Sequence, residues 1–136
     1  MSYVIGCDVG SQTLKGVLYD PDGRYVAEAA RQYDMLFPHP GWAEQDATHW
    51  LAAIRDVVKE LLERTGVAPA EIGCLGLASQ VDGLVPVGPS GEPLRPAIIW
   101  MDRRAEGETA ALGRAIPASE GVGGTRLQLG SSHVPP

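Results

Sequence analysis

Asparagine is absent from the 136 residues. That excludes N-linked glycosylation, whose acceptor is Asn-X-Ser/Thr. Cysteine is scarce: Cys7 and Cys74 are the only two, each inside an apolar run and far apart in sequence. Two cysteines cannot make a zinc site alone, and these read as buried, reduced thiols of a cytoplasmic protein. No apolar run approaches the roughly 18 residues of a membrane-spanning helix, so no membrane partner is expected. The opening stretch Met1–Gly6 lacks a basic region followed by a long apolar one, so no signal peptide is expected. Positive charge is short as well. Eleven Lys and Arg face 17 Asp and Glu, leaving a net charge of −6. Binding a nucleic-acid backbone needs clustered cations, so no nucleic-acid partner is expected, and a metal-dependent nuclease is disfavoured. What is present supports a folded domain. Apolar residues make up 44% of the chain and three are tryptophan, enough for a core. Seventeen glycines and 11 prolines mark many turns.

The pattern predicts an α/β arrangement in the order β-β-β-α-β-β-β-α. Tyr3–Val9 is short, apolar and β-branched, a strand candidate. Thr13–Asp20 alternates, with Leu14, Gly16 and Leu18 on one face. Pro21-Asp22-Gly23 is a turn, and Arg24–Tyr33 is a third strand, which completes an antiparallel meander. Phe37–Trp42 is a Pro-rich loop. Asp46 or Thr48 caps a helix whose apolar face holds Trp50, Leu51, Ile54, Val57, Val58, Leu61 and Leu62, and Gly66 stops it. Ile72–Ala78 is nearly all apolar, as in a strand buried on both faces of a mixed sheet. Gly83–Val87 and Ala97–Trp100 are two further strands, and a helix runs from Asp102 or Arg103 through Leu112. From Gly113 onward Gly, Pro and Ser crowd together and periodicity vanishes, as in an irregular or disordered tail over 113–136.

Four stretches carry chemistry. In Gly6-Cys7-Asp8-Val9-Gly10-Ser11-Gln12-Thr13-Leu14-Lys15 an acidic residue closes a strand, and a tight Gly-Ser turn follows. Successive N–H groups of such a turn can form an anion-binding concavity, Gly10 lets a phosphate approach, and Ser11 adds a hydroxyl. Asp8 suits Mg²⁺, a hard cation that takes oxygen ligands, and Lys15 adds positive charge. The alternative is a plain hairpin turn with Asp8 as a local acceptor. The second stretch, Leu36-Phe37-Pro38-His39-Pro40-Gly41-Trp42-Ala43-Glu44-Gln45-Asp46, reads on chemistry alone as a Pro-rich loop with a hydrophobic anchor. In the third, Ala78-Ser79-Gln80-Val81-Asp82-Gly83, Gln80 and Asp82 can bond hydroxyl groups at a strand's carboxyl end, where α/β sheets bind ligands, or make a simple turn. In the fourth, Leu94–Arg104, Trp100 offers a flat face to a sugar or packs in the core.

The order and spacing of these four stretches resemble the FGGY family of carbohydrate kinases, in particular its xylulokinase-like members. The resemblance covers residues 3 to about 110, within a partial N-terminal domain of 1–112. It implies a ribonuclease-H-like (actin-like ATPase and sugar kinase) fold in two domains. It also implies transfer of the γ-phosphoryl group of ATP to a hydroxyl of a pentulose or polyol. By resemblance Asp8 is the Mg²⁺-associated carboxylate, Gly10, Ser11 and Gln12 face the γ-phosphate, and Lys15 supports their loop. Gln80, Val81, Asp82 and Trp100 fall where the family contacts substrate, and Asp102 and Arg103 beside it. Xylulokinases usually carry Met-His where this chain has Val81-Asp82, which opens the substrate to other pentuloses and polyols. The family's catalytic base, an Asp, is expected further along than residue 136, so no catalytic base is assigned here. The expectation is an incomplete form with an unrelated tail, its sheet edge exposed and prone to association. The alternative is a non-catalytic remnant that binds sugar or phosphate weakly or pairs with a separate second half.

Overall fold

In the computed structural model, which describes residues 2–115, local pairing builds the first half of the sheet. Strand β1 (Tyr3–Val9) turns at Gly10–Gln12 into β2 (Thr13–Tyr19), in antiparallel register from Val4 opposite Tyr19 to Val9 opposite Leu14. Between β2 and β3 (Tyr25–Gln32), Gly23 at φ 78° takes the left-handed position that an L side chain resists. The Asp20 carboxylate ties this turn by accepting from Asp22 N–H at 2.9 Å and Arg24 N–H at 2.8 Å. The expected meander is therefore present, with alternation placing Ile5, Cys7, Val9, Leu14, Leu18, Ala27 and Ala29 on one buried face.

Helix α1 (Ala47–Thr65) covers that face. Asp46 is its N-cap and accepts from Thr48 N–H at 2.9 Å, and Gly66 at φ 72° closes its C-terminus in the left-handed conformation. Ala53, Val57 and Leu61 are buried against the sheet, with Trp50, Ile54 and Val58 flanking them. Leu51, expected on this face, is 63% exposed at the edge of the stripe, and small Ala53 is buried on the stripe's opposite side. Glu60 bridges Arg31 of β3 at 2.7 Å and Arg64 at 3.0 Å, lacing helix to sheet. These hydrogen bonds, Arg31's foremost, hold the Glu60 carboxyl below its ordinary value.

A short 3₁₀ turn, Pro69–Glu71, leads into β5 (Ile72–Ser79), which pairs parallel with β1 at the sheet edge and gives the order β3-β2-β1-β5. This is the mixed sheet expected, but β5 is not buried on both faces. Leu75 is 43% and Leu77 60% exposed, and Cys74, expected buried, is exposed too. The cause is placement: α1 lies over β2 and β3, and no other element among the described residues covers β5.

Beyond β5 the expected strands shrink. Of Gly83–Val87 only single bridges remain, Leu84 to Ile98 and Val87 to Pro93, and Ala97–Trp100 contributes the two-residue β6 (Ala97–Ile98). Prolines 86, 89, 93 and 96 cannot donate to a ladder. The partner of β6 is β4 (Glu44–Gln45), a strand in the segment expected to be loop. Helix α2 (Glu106–Ala115) starts later than expected and runs past the tail boundary at 113; the rest of the expected tail, 116–136, lies outside the described residues. No described helix is long and apolar enough to cross a membrane.

Candidate functional site

The parallel pair β1 and β5 sends both carboxyl ends to the same edge of the sheet, so the residues that follow them meet there. Gly10–Gln12 follows β1 and Gln80–Asp82 follows β5, and Gln80 N–H donates to Val9 O at 2.9 Å. Three side chains, those of Tyr33, Gln45 and Trp100, fix the first of these loops, and Gln80 in turn holds Gln45. Tyr33 O–H donates to Gly10 O, and Tyr33 N–H donates to Gln12 O at 3.1 Å. Gln45 Nε2 donates to Ser11 O at 2.6 Å and reaches Asp34 O at 3.4 Å. Trp100 Nε1 donates to Ser11 Oγ at 2.8 Å. Gln80 Nε2 donates to Gln45 Oε1 at 2.9 Å. Gly10 N–H closes the turn on Thr13 O at 3.1 Å, and a Cβ at Gly10 would stand 3.0 Å from that same oxygen.

This network joins all four stretches singled out in the sequence. Its amide orientations are fixed by chemistry. Two carbonyl acceptors require Gln45 to present its NH₂, so its Oε1 must accept, and Gln80 must present NH₂ to it. The Gln80 Oε1 atom is then left buried with no partner among the described residues. A buried acceptor without a donor is costly, and it suits a ligand hydroxyl. Ser11 is constrained likewise. Indole N–H is only a donor, so the Ser11 oxygen accepts and its proton is turned elsewhere.

Asp8 and Lys15 face each other across the β1–β2 ladder, one residue pair below the loop, and both are exposed. Asp8 makes no ion pair among the described residues, and no group of three or more His, Cys, Asp or Glu there is arranged to hold a metal. Burial, with a contribution from the Asp8 charge, pushes the Tyr33 hydroxyl above its ordinary value and keeps it a donor at neutral pH. Burial raises the Cys7 thiol as well, which keeps it protonated and inert. Val81 is 68% exposed and Asp82 sits at φ 59°, a left-handed conformation that Asp tolerates better than most side chains.

Asp102 and Arg103 are placed differently from the loop residues. The Asp102 carboxylate accepts from Ala43 N–H at 2.7 Å, from Arg104 N–H at 2.9 Å and from the Arg104 guanidinium at 2.8 Å through each oxygen. Arg104 also pairs with the buried Glu44 at 2.7 Å and lies 3.7 Å over the Trp42 ring. Arg95 is a further partner of Glu44. Burial pushes the Asp102 carboxyl up, but the hydrogen bonds from Arg104 and Ala43 outweigh it and hold the carboxyl below its usual range. Arg103 N–H donates to Gly41 O at 2.7 Å. Gly41, at φ 78°, follows Pro40 in a turn that Trp42 N–H closes on His39 O at 3.0 Å, the pattern of a type II turn. Asp102 and Arg104 thus clamp the second stretch against the fourth, which brings β4, and with it Gln45, up to the loop.

Sequence reasoning missed Tyr33, Gln45, Glu44 and Arg104 as individual contributors. Gln45 and Glu44 stood inside a quoted motif, but adjacency to a helix cap gives no sign of burial. Tyr33 was read as the end of a strand.

Comparison with known proteins bears on this geometry. Residues 3–130 match the FGGY family of carbohydrate kinases, N-terminal domain. The chain is 30% identical over 135 residues to glycerol kinase 2 of Streptomyces coelicolor, covering 98% of this chain and 26% of that protein. Among solved structures it is similar to a gluconate kinase from Lactobacillus acidophilus (TM-score 0.77, 29% identity, 84% of this chain and 23% of that one). It is equally similar to a xylulose kinase from Rhodospirillum rubrum (TM-score 0.77, 30% identity, 86% and 24%). The α/β, ribonuclease-H-like fold is the one these structures share. The chain spans about a quarter of the length of the curated relatives it matches.

Proposed function

The chain belongs to the FGGY family of carbohydrate kinases, and we propose that the protein transfers the γ-phosphoryl group of ATP to a hydroxyl of an open-chain polyol or ketose. In this reading residues 2–115 supply the phosphate-facing loop and part of the substrate pocket. The observation that carries it is the hydrogen-bonded line from Trp100 through Ser11 and Gln45 to Gln80, which brings an anion-ready turn next to a buried, unpartnered Gln80 acceptor.

The residues present fit the groups the reaction needs. Ser11 and Gln12 offer backbone N–H groups and Ser11 a hydroxyl proton to phosphate oxygens, Gly10 lets them approach the main chain, and Lys15 adds a cation. Asp8 is a single exposed carboxylate without an ion pair among the described residues, which suits Mg²⁺ held by one carboxylate, waters and phosphate oxygens. The metal would neutralise charge on the phosphates during transfer. Gln80 accepts a substrate hydroxyl through Oε1, and Val81 and Asp82 line the approach. With Asp82 an acceptor in place of the xylulokinases' usual His donor, hydroxyl groups that donate are favoured there. The proton acceptor for the reacting hydroxyl belongs, by resemblance, outside these 136 residues, so no base is assigned.

A second reading, a segment that works only with a separately supplied remainder, is favoured by the exposed apolar face of β5. One assay separates the two. ADP release by the purified chain is measured with glycerol, gluconate and D-xylulose, with Asp8→Asn as control. Turnover that depends on one of these substrates and vanishes in Asp8→Asn supports the kinase reading for the chain itself. No turnover with any of them supports the second reading.

A further inference from the structure

We infer that Tyr33 and Gln45 are positioning residues that aim the Ser11 and Gln12 amide groups at a tetrahedral oxyanion. This rests on the reading of the loop as a phosphate site. A trans peptide is planar, so its C=O and the N–H that follows point in opposite directions. The carbonyls of Gly10, Ser11 and Gln12 are consecutive, and each accepts a hydrogen bond from Tyr33 or Gln45. Their donors are Tyr33 O–H, Gln45 Nε2 at 2.6 Å and Tyr33 N–H at 3.1 Å. Pinning the first two of those oxygens turns the Ser11 and Gln12 N–H groups to the other side. Neither N–H has an acceptor among the described residues. Two successive amides left unpaired on one side make an anion nest, and Ser11's hydroxyl proton is free to join them because its oxygen already accepts from Trp100.

The side chains doing this are built for it. Gln45 is 1% exposed and Tyr33 is buried, so neither is there for solvent. Gln45 also holds Gln80 at 2.9 Å, so the same side chain that sets the amides sets the residue proposed to receive the substrate hydroxyl. Without these donors the two peptide units are free to rotate, and a loop carbonyl in place of an amide would repel a phosphate oxygen. Nothing in the local sequence Gly10-Ser11-Gln12 specifies that orientation; it is imposed by residues more than 20 positions away.

The test uses the ¹⁵N-labelled full chain, titrated with magnesium sulfate against a magnesium chloride control. Wild type should show saturable shifts of the Ser11 and Gln12 amide signals. Tyr33→Phe, which removes one hydroxyl, and Gln45→Met, which keeps the side chain's length, should each weaken that response by about five-fold, as for loss of one buried hydrogen bond. The Ile5 and Leu18 amides should stay where they are in both variants, reporting an intact core. Sulfate affinity at wild-type level in both variants, with Ser11 and Gln12 shifting as before, overturns the positioning role while leaving the phosphate site in place. A wild-type chain in which sulfate moves neither amide overturns the phosphate reading and the inference together. Should Gln45→Met unfold, Tyr33→Phe decides alone.

Discussion

Helix and sheet approach closely at Gly16, and that contact can be tested quantitatively. A Cβ there would stand 2.4 Å from Val57 Cγ1, 3.4 Å from Cys7 Sγ and 3.5 Å from Leu61 Cδ1. Carbon atoms in contact settle at about 3.5–4.0 Å, so the first of these is too short by about 1 Å. Val57 cannot turn aside, because it is fully buried and a helical valine has one strongly favoured rotamer. Alanine at 16 therefore lifts α1 off β2. Overpacking of this kind costs about 1–3 kcal/mol. The stiffer unfolded chain offsets about 0.4–1 kcal/mol of that. A clash this short belongs at the upper end of that cost, so the expected net loss for Gly16→Ala is about 2 kcal/mol, or roughly 8–16 °C in Tm for a domain of this size. Val57→Ala alone removes two methyl-sized groups and costs about 2 kcal/mol. In the double variant the new Cβ fills the space vacated by Cγ1, so the combined loss should fall short of the sum by about 1–2 kcal/mol. Urea denaturation followed by far-ultraviolet circular dichroism gives all three values. A neutral Gly16→Ala, or losses that simply add, would refute the close approach.

Other expectations concern the helix cap, the ion pairs and the sheet edge. Asp46→Ala should cost about 1 kcal/mol by removing the α1 N-cap, read in the same denaturation experiment. Thr48's hydrogen bonds hold the Asp46 carboxyl below its ordinary value. A depressed carboxylate stabilises above its unfolded value and loses that contribution as the pH falls through the folded one, so the gap between wild type and Asp46→Asn should narrow below about pH 4. Arg104→Met should cost about 3 kcal/mol or more, since it strips the shared cation from buried Glu44 and Asp102. Part of that loss should return in acid, where Asp102 no longer has to stay ionised, and a flat pH profile would contradict the network. Finally, Leu75→Glu with Leu77→Lys should reduce concentration-dependent association seen by light scattering, because the wild-type edge carries exposed leucines and no charge. Wild-type chain that stays monomeric at every concentration would remove the basis for that expectation.

The meander was legible because its signals are local. Alternation in Thr13–Tyr19 and the Pro-Asp-Gly turn each decide their own conformation within a few residues, and antiparallel neighbours need only a tight turn between them. The α1 boundaries were legible for the same reason, since Asp46 and Gly66 act through hydrogen bonds one turn away. Burial of β5 was read from composition, and composition reports what a strand is suited to rather than what covers it. Ile72–Ala78 is apolar on both faces, yet residues 2–115 place a helix over only one part of the sheet. The strand's demand for cover thus exceeds what these residues provide, which agrees with relatives about four times as long.

The site divides in the same way. Asp8, Gly10, Ser11 and Lys15 announce phosphate chemistry by residue type, because an acid, a glycine and a hydroxyl around one turn are what an anion and its cation need. What makes the turn usable is not in those residues. Its shape comes from Tyr33, Gln45 and Trp100, which lie 23, 34 and 89 positions from the atoms they bond. Gln45 arrives only because β4 pairs with β6, and that pairing is secured by the Glu44–Arg104–Asp102 cluster. An ordinary-looking ion-pair cluster beside a Pro-rich loop is therefore part of the phosphate site's construction. Weakening it should disturb the Ser11 and Gln12 amides, because Gln45 bonds Ser11 directly, while the α1 core is held by Ile5, Leu14, Leu18, Val57 and Leu61.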